Sequence, residues 1–368
     1  MTITNLSAER IKRLQAQMGQ ARVDVVAIAP TANMRYLLGF APLADERPCA
    51  FLVGREVTRL VIPELNADQV EAHTGMQAIR WADAAGPQRV FETALGELNL
   101  NPNAVLAADD SMRVDAFLLL QDIIRPTQSI AAGSLMDSLR LRKSEAELEI
   151  LARAAAMADE AMLTGAEACR PGVTELAVAN EIANTFRAHG AEAVNFTIVA
   201  AGLNGAFPHH ETGNRPLEVG DTIIIDIGAT VEGYKSDITR VVQLGQPSDE
   251  VQKVYDVVRE ANRRGREAAV AGARARDVDQ ATRSVIEEAG YGQYFHHRTG
   301  HGLGLEIHEP PWITSESDTV LEPGMVFSVE PGIYLQGKFG IRIEDIIAVT
   351  DGECRRLTGL DHNLIVKE

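Results

Sequence analysis

A carboxylate stands inside one of the most apolar stretches of this chain. Residues 220–228 read GDTIIIDIG, so four isoleucines surround Asp226. An isolated buried charge costs several kcal/mol, and proteins normally neutralise it, pair it or bind a metal ion to it. The rest of the chain must therefore supply a partner for this carboxylate.

A later segment repeats the pattern around Asp226. LEVGDTIIIDIG (217–228) and LEPGMVFSVEPG (321–332) share Leu, Glu and Gly, then a carboxylate six residues after that Gly and another Gly two residues later. The match predicts two halves built on one plan. Asp226 and Glu330 would then occupy equivalent positions.

Each copy is followed by a further strand that carries a second carboxylate. A turn near Gly233 would return the chain and bring Asp237 opposite the first strand. After Glu330, GIRIED alternates apolar and charged residues with the period of a strand and offers Glu344. We therefore expect two hairpins, each with two carboxylates on paired strands.

These carboxylates indicate a site for metal ions. Four of them placed together repel one another unless protons or cations neutralise them. His301, in TGHGLGLEIHEPP, lies between the two hairpins in the chain, and its glycine neighbours let the backbone approach closely. Oxygen ligands with one imidazole suit a divalent ion such as manganese, cobalt or zinc, and carboxylates can bridge two such ions.

The elements that position these residues suggest two domains, residues 1–135 and 136–368. The first third alternates strand and helix candidates, among them VDVVAIA (23–29), and is typical of a small α/β domain. From RKSEAE onward the character changes, because Ser144 and Glu147 form a capping box before a long Ala-rich helix.

Three more helices are expected in the second domain, at about 174–190, 248–272 and 277–290. Thr174 and Asp277 are the expected N-cap residues of the first and the last of them, because their side-chain oxygens can accept hydrogen bonds from the first turn.

Composition limits the classes of function. The 368 residues are 45% hydrophobic and carry a formal charge of −17, which argues against nucleic-acid or anionic-membrane partners. Three cysteines without CxxC spacing predict neither a disulfide framework nor a thiolate zinc site. Because the first 18 residues are charged and no long apolar run occurs, we expect a cytoplasmic protein.

Several segments resemble the motifs of the pita-bread metallopeptidases, the group of Xaa-Pro dipeptidases (prolidases), aminopeptidases P, methionine aminopeptidases and creatinase. They are SDITR, GHGLGLEIHEPP, EPGMVFSVEPGIY and GIRIED. NMRYLLGF (33–40) is similar to the N-terminal domain of prolidases and creatinase. The resemblance covers nearly the whole chain. It implies an α+β fold, with a C-terminal pita-bread domain preceded by a smaller N-terminal α/β domain of the creatinase type.

The resemblance also implies a set of metal ligands. Asp226 would hold one ion, His301 and Glu330 would hold a second, and Asp237 and Glu344 would bridge both. The full set argues against a creatinase. It implies two divalent ions as cofactors, manganese first and cobalt or zinc as alternatives.

Three residues outside the ligand set also match the family motifs. His209 in FPHHETG and His308 in EIHEPP would line the substrate cleft and assist binding and proton transfer, while Arg342 would lie beside the bridging Glu344. His210 competes with His209. Ten residues lie between His209 and Gly220, which resembles the prolidase spacing and therefore favours His209.

By resemblance, the protein hydrolyses the Xaa-Pro bond at a free N-terminus with a hydroxide that bridges the ions. Glu330 is nominated as the proton carrier, although the sequence does not separate it from Glu344. Prolidases commonly place an arginine shortly after the second cleft histidine, where this chain has Trp312. Trp312 and Tyr334 could line the cleft or serve packing.

Three alternatives for the substrate stay open at this point. The chain could cleave Xaa-Pro dipeptides, or it could act on longer proline-containing peptides as an aminopeptidase P. It could also be a non-peptidase hydrolase of small amides, or a lyase, on the same scaffold. Since prolidase-like relatives are homodimers, we expect a homodimer.

Overall fold

The chain divides into two compact units. The computed structural model describes residues 5–368, and the boundary between the two units lies between Arg140 and Leu141. The boundary expected after residue 135 falls inside a helix, Gly133–Arg140, that packs on the first helix of the chain. Among residues 5–368, no helix is both long and apolar enough to cross a membrane.

The first unit is a mixed sheet with helices around it. Its strands are β1 (Val25–Ile28), β2 (Ala50–Gly54), β3 (Thr58–Pro63), β4 (Ile79–Trp81), β5 (Val105–Ala108) and β6 (Gln128–Ala131). Its helices are α1 (Asn5–Ala21), α2 (Ala32–Leu38), α3 (Glu64–Thr74), α4 (Gln88–Gly96), α5 (Val114–Ile124) and α6 (Gly133–Arg140). The sheet order is β4-β3-β2-β1-β5-β6. This is the small α/β architecture that the sequence predicted.

Apolar periodicity explains how this unit packs. Ile11, Leu14 and Met18 of α1 recur at helical spacing and are buried. All four residues of β1 are buried, as expected for a central strand that is covered on both faces. β1 pairs antiparallel with β2 and parallel with β5.

The second unit contains all the expected site residues. Its helices are α7 (Glu145–Ala168), α8 (Glu175–Ala188), α9 (Asp249–Ala268) and α10 (Ala275–Glu288), with short 3-10 helices at Gly202–Ala206 and Gly292–Tyr294. Its strands are β7 (Ala193–Ala201), β8 (Thr222–Val231), β9 (Tyr234–Lys235), β10 (Ile238–Leu244), β11 (Gly300–Gly302), β12 (Glu309–Ile313), β13 (Val326–Val329), β14 (Gly332–Leu335), β15 (Phe339–Arg342), β16 (Asp345–Ala348), β17 (Arg355–Arg356) and β18 (Ile365–Lys367).

The two halves of this unit repeat one order of elements. α7 and α8 precede a sheet of order β18-β10-β8-β7, and α9 and α10 precede a sheet of order β12-β11-β13-β16-β17. The repeated sequence pattern corresponds to β8 in the first half and β13 in the second. Equivalent bridges, Thr174 to Pro216 and Arg274 to Val320, link the helix starts to the segments before those strands. The expected plan of two similar halves is therefore present.

Helix starts in this unit follow local hydrogen bonding. Ser144 and Glu147 form the expected capping box at α7, and Thr174 caps α8. The expected N-cap role of Asp277 is wrong, because α10 starts two residues earlier. The Asp277 carboxylate instead accepts a hydrogen bond from the backbone N–H of Arg274 at 2.8 Å, the reciprocal half of a capping box.

Candidate metal centre and substrate cleft

Eight side chains that the sequence singled out line one cavity of about 860 Å³. They are Asp226, Asp237, His301, Glu330, Glu344, His209, His308 and Arg342. The remaining wall includes three further polar side chains, His296, His297 and Arg298, that the sequence analysis did not single out. The tertiary structure thus brings residues separated by more than a hundred positions into one cleft.

The two faces of β8 explain why a carboxylate lies among isoleucines. Ile223, Ile225 and Ile227 belong to a core cluster with α7 and α8. Ile224 packs in a different cluster that includes residues of α9. Since side chains alternate along a strand, Asp226 shares the face of Ile224, and there it reaches the cavity with 14% of its side chain exposed.

The other three carboxylates lie just outside strand ends. Asp237 precedes β10, Glu330 follows β13 and Glu344 precedes β16. Because β13 and β16 are antiparallel neighbours, Glu330 and Glu344 emerge side by side. The expected pairing of the two acidic strands is present, as β13 with β16, and β14 and β15 form a further hairpin in the stretch between them. The backbone N–H of Glu344 donates to the carbonyl of Thr239 at 3.2 Å and bridges the two halves.

His301 is held so that one ring nitrogen faces the carboxylates. Its Nδ1–H donates to the carbonyl of Gly302 at 3.1 Å, because a carbonyl only accepts, and Nε2 is therefore the ring atom directed at the acidic cluster. Nε2 lies 3.2 Å from Oε1 of Glu330 and 3.9 Å from Oδ2 of Asp237. A side chain at Gly300 would collide with the carbonyl of Ser328, which explains the glycine before this histidine.

The donor atoms fit a divalent cation. One donor atom each from Asp237, His301 and Glu344 lies within 4.8 Å of the other two, and all three residues are buried. Oδ1 of Asp226 is buried without a hydrogen-bond partner among residues 5–368. A buried carboxylate oxygen without a donor is costly, and a bound cation removes that cost.

The raised pKa values of the buried carboxylates also indicate a bound cation. Burial raises the pKa of Asp237 well above its usual range, and the neighbouring carboxylates of Glu344 and Asp226 raise it further. Burial likewise raises the pKa of Glu344, with added repulsion from Glu330 and Asp226. Burial raises the pKa of Asp226 although Arg342 opposes the shift. Ionising all of these groups at neutral pH therefore requires added positive charge.

We expect the stabilisation by divalent metal to grow with pH. In the metal-free protein the folded-state pKa values of Asp237 and Glu344 exceed their unfolded values, so their contribution to stability is complete at low pH and is lost as pH rises. Metal ions bind the deprotonated carboxylates, so their affinity rises over the same interval.

Thermal unfolding in manganese and in EDTA at pH 5, 6.5 and 8 measures this effect. The difference between the two midpoints should widen steadily towards pH 8. A difference that is constant or shrinks with pH would contradict the assignment of these carboxylates as ligands.

Arg342 links the carboxylates to the wall of the cleft. It is buried, and its Nη2 donates to Oδ2 of Asp226 at 2.6 Å. Its Nη1 donates to the hydroxyl of Tyr334 at 2.9 Å, which in turn donates to Nε2 of His297 at 2.8 Å. Tyr334 is therefore a buried hydrogen-bonding residue behind the cleft. Of the two roles that the sequence left open for it, the packing role fits.

A buried glutamate separates the roles of His209 and His210. Glu175 accepts hydrogen bonds from the backbone of Ala201 at 2.8 Å and from the side chain of Asn204 at 2.9 Å. Nε2 of His210 donates to the same carboxylate at 3.0 Å. His210 thus anchors the segment after β7, whereas His209 lines the cavity.

His308 stands directly beside the expected ligand His301. The two rings are perpendicular, with centroids 4.3 Å apart. Burial and the nearby His301 and Arg298 lower the pKa of His308 to about 4. At neutral pH its imidazole is therefore uncharged and can donate one hydrogen bond into the cavity.

The sequence did not single out three polar residues of the cleft, and it left Trp312 between two roles. His296, His297 and Arg298 line the cavity, five, four and three positions before His301, and their place in the same loop was the available signal. Trp312 is absent from the described cavity wall. The residue is 38% exposed, and the guanidinium carbon of Arg298 lies 4.5 Å from the centroid of its ring.

Comparison with known proteins defines the class of protein that carries this fold and site. Residues 149–351 match the model of metallopeptidase family M24, and residues 10–142 match the creatinase/prolidase N-terminal domain. A probable dipeptidase, PepE, of Mycobacterium tuberculosis is 36% identical over 365 residues, 98% of this chain and 96% of the relative.

Two solved structures extend the similarity to three dimensions. A prolidase from Thermococcus sibiricus has a TM-score of 0.94 at 37% identity, with 100% of each chain covered. An X-Pro aminopeptidase from Thermotoga maritima has a TM-score of 0.86 at 33% identity, with 97% of this chain and 99% of the other covered.

The fold and the buried acid-and-imidazole cluster therefore define a metal-dependent peptidase with two domains, a creatinase-type N-terminal domain and a pita-bread domain. The chain belongs to metallopeptidase family M24. The resemblance stated from the sequence motifs, the α+β fold class and the enzyme class are confirmed.

Proposed function

We propose that this protein hydrolyses the Xaa-Pro bond at the free N-terminus of dipeptides and short peptides. The observation that carries the proposal is that the expected ligands and the cleft residues His209 and His308 line one cavity. The likeness to relatives named Xaa-Pro dipeptidase and prolidase supports it.

Two divalent ions would be held by the five expected ligands. These are Asp226, Asp237, His301, Glu330 and Glu344, with Asp237 and Glu344 shared between the ions. When bound, the ions supply Lewis-acid polarisation of the scissile carbonyl and a water of lowered pKa as nucleophile. We propose manganese as the ion, with cobalt or zinc as alternatives, because the donor set is rich in oxygen.

Glu330 is the better candidate for moving a proton. Burial raises its pKa, but the hydrogen bond and the electrostatic attraction from His301 outweigh burial and hold the pKa at about 2. It is therefore ionised and can accept a proton, whereas burial and repulsion raise the pKa of Glu344. Glu330 would receive the proton of the nucleophilic water and pass it to the leaving proline nitrogen.

The neutral imidazole of His308 is suited to stabilise the oxyanion of the tetrahedral intermediate. A hydrogen-bond donor at this position strengthens its interaction as negative charge develops on the carbonyl oxygen. His209, on the same cavity wall, is proposed to bind the substrate. Phe196, Ile198 and Phe207 supply apolar wall against which a proline ring can pack.

The proposed function predicts metal-dependent cleavage of proline dipeptides. Protein loaded with manganese should hydrolyse Ala-Pro when offered together with Ala-Pro-Ala, with products followed by mass spectrometry. EDTA should remove the activity and manganese should restore it. Ala-Ala serves as the control that tests the requirement for proline.

Failure to cleave either proline peptide at full metal occupancy would overturn this proposal and favour a non-peptidase amide hydrolase or a lyase. Preference for Ala-Pro-Ala would support the aminopeptidase P alternative. We also propose that the protein is a homodimer. Sedimentation at micromolar concentration tests this prediction.

A further inference from the structure

One cationic side chain in the cleft has no ionic partner. Arg298 lines the cavity, and within residues 5–368 its guanidinium makes neither a salt bridge nor a hydrogen bond. Burial lowers its pKa, with Glu330 opposing the shift. The neighbouring Arg342, by contrast, has all its described donors directed at protein acceptors. Arg298 therefore has free N–H groups to offer to a ligand.

Trp312 supports this guanidinium from the adjacent strand. The guanidinium carbon lies 4.5 Å from the centroid of the Trp312 ring, a cation–π contact. Trp312 is the cross-strand partner of His301, and directly opposed residues of antiparallel strands share a face. The stack therefore holds Arg298 on the same side of the sheet as the metal-binding imidazole.

Arg298 shares the cavity with both proposed catalytic groups. Its side chain lines the same cavity as His308 and Glu330. It lies outside the group of residues whose donor atoms converge, Asp237, His301 and Glu344.

A planar guanidinium with free N–H groups is suited to a carboxylate, which it can bind with two parallel hydrogen bonds. In an Xaa-Pro dipeptide the proline carries a free carboxylate next to the scissile bond. In a longer peptide an amide replaces that carboxylate, and the negative charge lies at least one residue further away. A fixed cation near the scissile bond therefore distinguishes the two substrates.

We propose that Arg298, supported by Trp312, binds the C-terminal carboxylate of an Xaa-Pro dipeptide and makes the enzyme prefer dipeptides. The inference rests on the proposed function. It assigns a specificity role to Arg298 and a positioning role to Trp312, which stands where prolidases commonly have their own arginine.

Three substrates separate this role from a general defect. Ala-Pro carries the carboxylate, Ala-prolinamide lacks the charge at the same position, and Ala-Pro-Ala carries it one residue further. Arg298→Gln should raise the KM for Ala-Pro about 10- to 100-fold, the loss expected for a charged hydrogen-bonding pair. Its kcat/KM for Ala-prolinamide should stay within about 3-fold of wild type, since that substrate has no carboxylate to lose.

Two further variants test the geometry. Arg298→Lys keeps the charge without the planar fork. Its KM for Ala-Pro should lie between the values of wild type and Arg298→Gln. Trp312→Leu should raise that KM with little change in kcat, whereas Trp312→Phe, which keeps an aromatic face, should lie close to wild type. Arg276→Gln removes an arginine with a half-exposed side chain elsewhere in the same unit and is the matched control.

The outcomes distinguish the inference from the proposed function. One outcome is that wild type cleaves Ala-Pro while Arg298→Gln loses activity towards Ala-Pro and Ala-prolinamide by the same factor. In that case the assignment of Arg298 is overturned and the proposed function stands. If wild type cleaves none of the three at full metal occupancy, the proposed function falls and the inference falls with it.

Discussion

Replacement of Asp237 by asparagine should lower kcat/KM for Ala-Pro by at least about 10³-fold, because lost metal chemistry amounts to several kcal/mol of barrier. Asp237 is 4% exposed and is one of three residues whose donor atoms converge. The amide has nearly the same shape but lacks the charge and the second oxygen with which a carboxylate can bridge two ions.

The same substitution should leave the metal-free protein at least as stable as wild type at pH 7.5. Burial raises the pKa of Asp237, and repulsion from Glu344 and Asp226 adds to the shift, so removing its charge relieves an unfavourable interaction. Activity and metal-free stability are therefore expected to move in opposite directions. Most buried substitutions, in contrast, lower both.

Three measurements test this prediction. Kinetics give kcat/KM, metal analysis gives bound manganese per chain, and thermal unfolding in EDTA gives the midpoint. Asp256→Asn is the matched control, since Asp256 lies on the surface of α9 with 45% of its side chain exposed. Activity of Asp237→Asn within tenfold of wild type would remove Asp237 from the ligand set.

His308→Ala should lower kcat about 10²- to 10³-fold while leaving the metal content unchanged. The ring of His308 is perpendicular to that of His301, and the pKa of His308 is lowered to about 4. It is therefore a neutral donor at the pH of the assay. Alanine removes this donor without touching a carboxylate or the imidazole expected to bind metal.

A glutamine at this position and the pH profile sharpen the test. His308→Gln keeps an N–H donor and should recover part of the lost kcat. Because the pKa of His308 is about 4, its titration should add no limb to the wild-type profile between pH 6 and 8. His189→Ala, at the exposed end of α8, is the control. Loss of manganese from His308→Ala would show instead that His308 supports the metal site.

Several parts of the fold follow from local patterns in the sequence. The capping box of Ser144 and Glu147 and the cap of Thr174 mark helix starts correctly, because these hydrogen bonds join residues only three positions apart. Asp277 shows the limit of such reasoning. An acidic residue suits either the cap or the third helical position, and the chain uses the second.

The roles of neighbouring residues in the cleft depend on contacts between distant elements. His209 and His210 are adjacent, and only Glu175, 35 positions before His210, separates the cavity residue from the anchor. Trp312 and Arg298 likewise meet because β11 pairs with β12 and places Trp312 opposite His301. The spacing of these residues along the chain does not predict that strand pairing.

The chemistry available to this protein can be read from the residues alone: carboxylates in apolar strands, one imidazole between glycines, and a repeated plan for the two halves. Burial in alternating strands makes such residues conspicuous, since an unpaired charge in that setting is costly. Only the fold shows, within residues 5–368, that Oδ1 of Asp226 lacks a donor and that Arg298 is the cleft arginine without a protein acceptor. Those properties depend on strand register and on hydrogen bonds between residues more than a hundred positions apart, such as Arg342 and Asp226.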